Sequence, residues 1–243
     1  MIIAITDDDG YTEGVEILLD AANEIGKAYA ILPERQRSAI SIALTLHKPL
    51  RLTHIKKNVY TLNGNPADCT LFAIHSKEFQ KPDVIFSGIN WGDNCGLSPL
   101  ISSGTIGACW KAAIYKVPAI AFSVHRPHRR LGWEKKENWD REGLKDGILR
   151  AWAFLKSKLK KGDFYVVNFP EERYIKKAKI VFSKRRQWMR TFAVIEKRKD
   201  PHGNPYYWLS GKSIKPEKGT DYYELVARKN IVITKVALEK LLK

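Results

Sequence analysis

Apolar residues in this chain fall into two kinds of run, and the two kinds alternate. Ile2-Ile3-Ala4-Ile5 is a short unbroken apolar stretch ending at Thr6, the pattern of a strand covered on both faces in a parallel sheet. After an acidic turn, Val15, Leu18, Leu19, Ala22 and Ile25 recur at helical spacing as far as Gly26. Residues 29–32 predict a second strand stopped by Pro33, and residues 59–62 a third. Residues 66–76 open as a helix with proline in the first turn. Residues 83–87 predict a strand that runs into a loop rich in Gly and Asn, residues 104–115 a helix, and residues 118–123 a further strand. Strand–helix alternation of this kind implies an α/β fold, a doubly wound and mostly parallel Rossmann-like sheet with right-handed crossovers.

Beyond residue 125 the pattern loosens. Residues 139–159 predict one long helix interrupted by Gly143 and Gly147, and 164–169 and 179–182 predict strands. From about 184 to 228 the text is basic, aromatic and rich in Gly and Pro, which predicts an extended β-hairpin arm. Residues 231–234 predict a closing strand and 236–242 a short helix. The expected organisation is an α/β catalytic domain over 1–183, a protruding basic arm over 184–230, and a C-terminal strand and helix over 231–243.

Composition narrows the class. The 243 residues are 44% hydrophobic and 28% charged, a globular balance, and no apolar run nears the roughly 20 residues of a membrane span. The start is neither basic nor long enough in apolar residues for a secretory leader. Cys69, Cys95 and Cys109 are odd in number and lack close C-x-x-C pairing, so they are expected as buried core thiols of a cytoplasmic protein. Net charge is +16, unevenly spread. Residues 1–120 hold 11 Lys and Arg against 12 Asp and Glu, whereas residues 121–243 hold 31 against 14. Such a field concentrates anions, either nucleic acid or phosphorylated small molecules. A nucleic-acid-binding protein using the basic half is therefore the alternative reading.

In an open parallel sheet, ligands sit beyond the carboxyl ends of the strands. Three predicted strands end there in oxygen-rich text: Asp7-Asp8-Asp9-Gly10, Arg35-Gln36-Arg37-Ser38, and Ser87-Gly88-Ile89-Asn90-Trp91-Gly92-Asp93-Asn94. Carboxylates, a hydroxyl and an amide carbonyl make an all-oxygen set, which suits Mg²⁺ or Mn²⁺ rather than zinc. Adjacent aspartates about 4 Å apart repel by several kcal/mol unless a cation lies between them. The segment Ser102-Ser103-Gly104-Thr105 opens a helix, where backbone N–H groups hold phosphate. No Gly-x-x-x-x-Gly-Lys or Gly-x-Gly-x-x-Gly is present in these turns. His47, His54, His75, His125, His128 and His202 show no metal-ligand spacing, and Ser38 lacks a nucleophile elbow.

At these residues the chain resembles the stationary-phase survival protein SurE family, metal-dependent 5′/3′-nucleotidases. The family's Asn-Asp-Asp-Gly appears as Asp7-Asp8-Asp9-Gly10, and its Pro-Asp-Arg-x-x-Ser as Pro33-Glu34-Arg35-Gln36-Arg37-Ser38. Its Gly-Thr-Pro-Ala-Asp-Cys appears as Gly64-Asn65-Pro66-Ala67-Asp68-Cys69. Ser-Gly-Ile-Asn-x-Gly-x-Asn-x-Gly is intact from 87 to 96, and Ser-Gly-Thr-x-Gly-Ala from 103 to 108. Asn168-Phe169-Pro170, Tyr206-Tyr207-Trp208 and Gly219-Thr220-Asp221-Tyr222 also fit. The resemblance implies one divalent ion per subunit held by Asp8, Asp9, Ser38 and Asn90, and a phosphate pocket lined by Asn94, Ser103, Gly104 and Thr105. Asp8 and Asp9 would carry the catalysis. It also implies a nucleoside monophosphate substrate and a homodimer or homotetramer in which the C-terminal segment is exchanged, while the basic residues of the later half suit longer anions such as polyphosphate. Asp7, Ile42, Ala43 and Asn65 depart from the family pattern.

Overall fold

The structure, a computed structural model, describes residues 1–126 and 139–241. His128 and Leu242 lie outside them. Eleven strands and seven α-helices are described. In chain order the first half holds β1 (Ile2–Thr6), α1 (Glu13–Ile25), β2 (Lys27–Pro33), β3 (Leu52–Lys56), β4 (Val59–Leu62), α2 (Pro66–His75), β5 (Val84–Trp91), α3 (Leu97–Ser102), α4 (Gly104–Ile114) and β6 (Ala119–Val124). The second half holds α5 (Arg141–Leu155), β7 (Asp163–Phe169), α6 (Glu172–Ile175), β8 (Ile180–Phe182), β9 (Thr191–Lys199), β10 (Pro205–Ser213), α7 (Asp221–Val226) and β11 (Ile231–Ala237). Nine strands form one sheet in the order β3-β4-β2-β1-β5-β6-β7-β11-β8, and β9 and β10 form a separate two-stranded sheet. Neighbours in the large sheet run parallel except β3 against β4 and β11 against β7.

The unbroken apolar strands are explained by the layers on both sides of them. Alternate residues Ile3 and Ile5, Phe86, Ile120 and Phe122, and Tyr165, Val167 and Phe169 pack on one face with Val15, Leu18 and Ala22 of α1 and Leu144, Ile148 and Leu155 of α5. Their neighbours Ala4, Ile85, Ala119, Ala121, Phe164 and Val166 pack on the other with Cys69 and Ala73 of α2 and Ile106, Cys109 and Ala112 of α4. Fully buried side chains such as Phe122 are worth about 3–5 kcal/mol each against truncation to Ala. All three cysteines are free and buried, as the sequence predicts, and burial pushes the Cys69 and Cys109 thiols well up.

Several elements differ from expectation. β3 is an edge strand whose residues beyond Leu52 are exposed, so it lacks the apolar run that reveals a covered strand. α3, α6 and α7 have six, four and six residues, too short for periodicity to show. α5 starts at Arg141 because Asp140 caps it, its Oδ1 accepting from Gly143 N–H at 3.0 Å, and it ends at Leu155, short of 159. The helix predicted over 236–242 is corrected. Val236 and Ala237 continue β11 opposite Phe164 and Asp163, and only a 3₁₀ turn, Leu238–Leu241, follows. Pairing with β7 and burial of Val236 outweigh helical spacing there.

The hairpin expected within the basic region occupies 191–213, with β9 and β10 paired antiparallel from Thr191↔Ser213 to Lys199↔Pro205. The residues behind it return to the body, where α7 buries Leu225 against Cys95 and Val232. β11 pairs within its own chain, between β7 and β8. No described helix is long and apolar enough to cross a membrane.

Candidate active site at the carboxyl ends of the strands

β1 and β5 are neighbours in parallel register, Thr6 opposite Ser87, so the loops after both strands leave the same rim. β2 flanks β1 on its other side and sends residues 34–38 to that rim as well. The three oxygen-rich segments of the sequence therefore meet because three consecutive strands of the sheet deliver them.

Asp7 and Asp8 are buried, and Asp9 is half-buried. Asp8 N–H donates to Asp7 Oδ1 at 2.9 Å, while Asp7 Oδ2 is buried without a partner. The Thr105 hydroxyl donates to Asp8 Oδ1 at 2.5 Å. Asp9 Oδ1 accepts from Gln36 Nε2 at 2.9 Å and from Ser38 Oγ at 3.3 Å. The backbone N–H of Arg37 donates to the Asp8 carbonyl at 2.6 Å, which ties the β2 loop to the β1 loop. Among the described residues, no Lys or Arg pairs with any of the three acids. Burial, then the charge of Asp9, raises the Asp8 carboxyl to about 6, and burial with both neighbouring acids raises Asp7 well above the usual carboxylate range.

Asn90 donates Nδ2–H to the Gly92 carbonyl at 2.6 Å, which leaves its carbonyl oxygen as the unpaired end. The set Asp8, Asp9, Ser38 and Asn90 is thus all oxygen, lacks a protein cation, and includes an orphaned buried carboxylate oxygen beside it on Asp7. These features fit a hard divalent ion. Asp8, Asp9 and Ser38 are linked directly or through one residue, and Asn90 reaches the same rim from β5.

The helix entry behaves differently from expectation in detail. Ser103 is the N-cap of α4, its Oγ accepting from Ile106 N–H at 3.3 Å, and its own N–H donates to the Pro99 carbonyl at 3.0 Å. Thr105 spends its hydroxyl on Asp8. What remains for an anion is the pair of first-turn N–H groups on Gly104 and Thr105. Gly104 is required by close approach, because a Cβ there would lie 2.7 Å from Asp8 Cβ and 3.0 Å from the Arg37 carbonyl oxygen. Asn94 is buried. Its N–H donates to Asn168 Oδ1 at 2.7 Å and its Nδ2 to Ser123 Oγ at 2.9 Å, so it engages the ends of β6 and β7.

Sequence reasoning missed Gln36, Ser123 and Asn168 as supports of these groups. Asn168 had a signal in the Asn-Phe-Pro match and Gln36 lay in a strand-end segment but without a role of its own; Ser123 had no signal, since its value depends on which strands are neighbours. His75, with no ligand role expected, is exposed and set edge-on to Tyr115 at 4.6 Å.

The chain is 36% identical to a protein named 5′-nucleotidase SurE from Hyperthermus butylicus, over 97% of this chain and 84% of the other. It is 34% identical to the 5′-nucleotidase SurE of Thermofilum pendens, over 100% and 92%. A crystal structure of the SurE protein from Aquifex aeolicus superposes with a TM-score of 0.80 at 27% identity, covering 98% of this chain and 94% of that one. The family model described as survival protein SurE matches residues 3–190, a span that contains every rim loop built above, and the chain belongs to the SurE family.

Proposed function

We propose that this chain is a metal-dependent phosphomonoesterase that releases phosphate from nucleoside 5′- and 3′-monophosphates, with polyphosphate as a longer substrate. The observation that carries the reading is the juxtaposition of Asp8 and Asp9, uncompensated by any described Lys or Arg, with uncapped N–H groups at the start of α4. Relatives that are named 5′-nucleotidases support the substrate class.

Asp8, Asp9, Ser38 and Asn90 would hold one Mg²⁺ or Mn²⁺ per subunit. When bound, such an ion neutralises phosphoryl oxygens and lowers the pKa of a water molecule. Asp9 is oriented by Gln36 and Ser38 through Oδ1, so its Oδ2 is the atom free to align a water and accept its proton. The Gly104 and Thr105 N–H groups and the Asn94 side chain bind the phosphate and stabilise the charge that grows on it in the transition state. Basic residues of the second half draw the anion in.

We also propose an assembly of two or four copies, with exchange of C-terminal elements. Its support is the hairpin, which belongs to no larger sheet and exposes Phe192, Ile195, Tyr207, Trp208 and Leu209. A two-stranded hairpin alone is marginal in water. Light scattering of the purified chain tests this, and a monomer at micromolar concentration would refute it.

The activity is tested by phosphate release from 5′- and 3′-AMP with Mg²⁺, Mn²⁺ or a chelator, on the wild type and on Asp8→Asn. Release that needs metal and disappears in the variant is expected; full turnover by the variant at saturating Mn²⁺ would overturn the reading. Salt-dependent retention of RNA or DNA without any phosphate release would instead favour nucleic-acid binding.

A further inference from the structure

Position 93 is one that the family pattern leaves open, between Gly92 and Asn94. Here it is Asp93, 6% exposed, and both of its carboxylate oxygens are engaged. Oδ2 meets His125 Nδ1 at 2.8 Å, and Oδ1 accepts from the Arg190 guanidinium at 2.8 Å and from Cys95 N–H at 3.3 Å. His125 follows β6 and is fixed there by its own N–H on the Phe169 carbonyl at 2.8 Å. Arg190 is the residue before β9, at the root of the exposed hairpin. Burial works against ionisation of Asp93, yet Arg190 and His125 hold its carboxyl below the usual range.

The rest of this loop is pressed onto the same root. Leu97 N–H donates to the Gln187 carbonyl at 2.9 Å, and Gly96 N–H donates to Asp221 Oδ2 at 2.8 Å. Gly96 has a φ of 85°, and a Cβ there would stand 2.9 Å from the Gln187 carbonyl oxygen. Asp221 is fully buried, and its other oxygen accepts from Gln187 N–H and Tyr222 N–H, each at 2.8 Å. Asp93, Gly96 and Leu97 are therefore stitched to the hairpin root and to Asp221, Asp93 also grips His125 just past β6, and Asn94 between them bonds Ser123 and Asn168 at the ends of β6 and β7.

We propose that Asp93, gripped between His125 and Arg190, is a positioning residue for Asn94, and that the root of the basic hairpin thereby sets how tightly the phosphate group of the substrate is held. This rests on the phosphate role proposed above for Asn94. The physical reason is the stiffness of a buried charge with three fixed donors. Removing one donor leaves charge unpaired in a low-dielectric setting, and the chain relaxes to find another partner. Asn94 is the next residue, so a displacement near 1 Å passes directly to its two hydrogen bonds. Shifts of that size cost up to about 100-fold in a well-aligned site. Of the four metal ligands, Asp8, Asp9 and Ser38 stand on loops of other strands, and Asn90, three residues before Asp93, lies within β5 and is held by its own bond to the Gly92 carbonyl at 2.6 Å, so the ion site keeps its geometry.

The test uses the full-length Arg190→Met and Arg190→Lys variants beside wild type. Calorimetric titration with inorganic phosphate in the presence of Mn²⁺, Mn²⁺ affinity, kcat and KM for AMP, and the thermal midpoint are measured on each. The expected result for R190M is phosphate affinity weaker and KM higher by roughly 10- to 100-fold. Mn²⁺ affinity should stay within about twofold, with R190K between R190M and wild type. Phosphate affinity of R190M within twofold of wild type would overturn the proposal. So would an equal loss of Mn²⁺ and phosphate binding, which marks general loosening. Should R190M fail to fold, Asp93→Asn, which keeps the shape and removes the charge, takes the same readouts. A wild type that frees no phosphate from nucleotides would refute the proposed function, while the phosphate titration would still uphold or overturn the coupling itself.

Discussion

The rim of the sheet and the hairpin treat charge in opposite ways. At the rim, Asp7, Asp8 and Asp9 follow one another in sequence, two of them buried, with no described Lys or Arg paired to them. On the hairpin, Lys197, Arg198, Lys199 and Lys212 stand in solvent, and among the described residues Arg198 alone of the four forms an ion pair, with Glu196 at 2.7 Å. Unit charges 4 Å apart interact by about 4 kcal/mol at an effective dielectric near 20, whereas an exposed pair is worth about 1 kcal/mol or less. The basic half holds far more charge, but the few acids out of water store far more energy per residue. Net charge locates attraction at long range; desolvated charge locates chemistry.

The sharpest way to break this contrast is Asp8→Asn. It should cost about 10³-fold or more in phosphate release, about 4 kcal/mol of transition-state stabilisation, with an unchanged far-ultraviolet circular dichroism spectrum. The metal-free variant should unfold at the same or a higher temperature than wild type, because a buried like charge has gone. A lower midpoint would mean that Asp8 is structural.

Proton linkage gives the next effect. Asp8 is raised from 3.8 to about 6 in the folded chain, so its favourable contribution is present below the ordinary value and is lost as pH climbs through about 6. In chelator, stability should therefore fall between pH 4 and 7, by about 3 kcal/mol at most from this group. With Mn²⁺ present the slope should reverse, since protons and metal compete for the same oxygens. Melting curves across pH, with and without metal, separate the two.

Gly104→Ala should destabilise the fold by about 1–3 kcal/mol and depress activity, because its Cβ would meet Asp8 at 2.7 Å. Denaturant unfolding measures the first, and a midpoint equal to wild type would show that the α4 entry can retreat. Smallest of all, replacing Lys197 and Lys199 by Gln should move stability by less than about 0.5 kcal/mol. The same pair should flatten the dependence of KM on salt, a change read from AMP kinetics at two ionic strengths.

Most of the fold was legible because covered strands and amphipathic helices leave different periods. Ile2–Thr6 and Val59–Leu62 were read to the residue for that reason. β3 was not, since an edge strand with Thr53, His54 and Lys56 in solvent has no period to read. The C-terminal helix was misread because Val236 and Leu238 satisfy either spacing, and pairing with Phe164 decides between them. Asp8, Asp9, Ser38 and Asn90 were legible as polar text at strand ends, and Thr105 as part of a helix entry. The union of Asp93, His125 and Arg190 was not, because it joins positions 32 and 97 residues apart and belongs to no local pattern.

The place of β11 carries a consequence for biosynthesis. It lies between β7 and β8, both of which precede it in the chain. As the polypeptide leaves the ribosome, β7 keeps one bare edge, and β8 has no sheet to join, until residues 231–237 emerge. Until then the nascent chain carries an open, apolar border, the stage at which capture by a chaperone or by a sister chain is easiest.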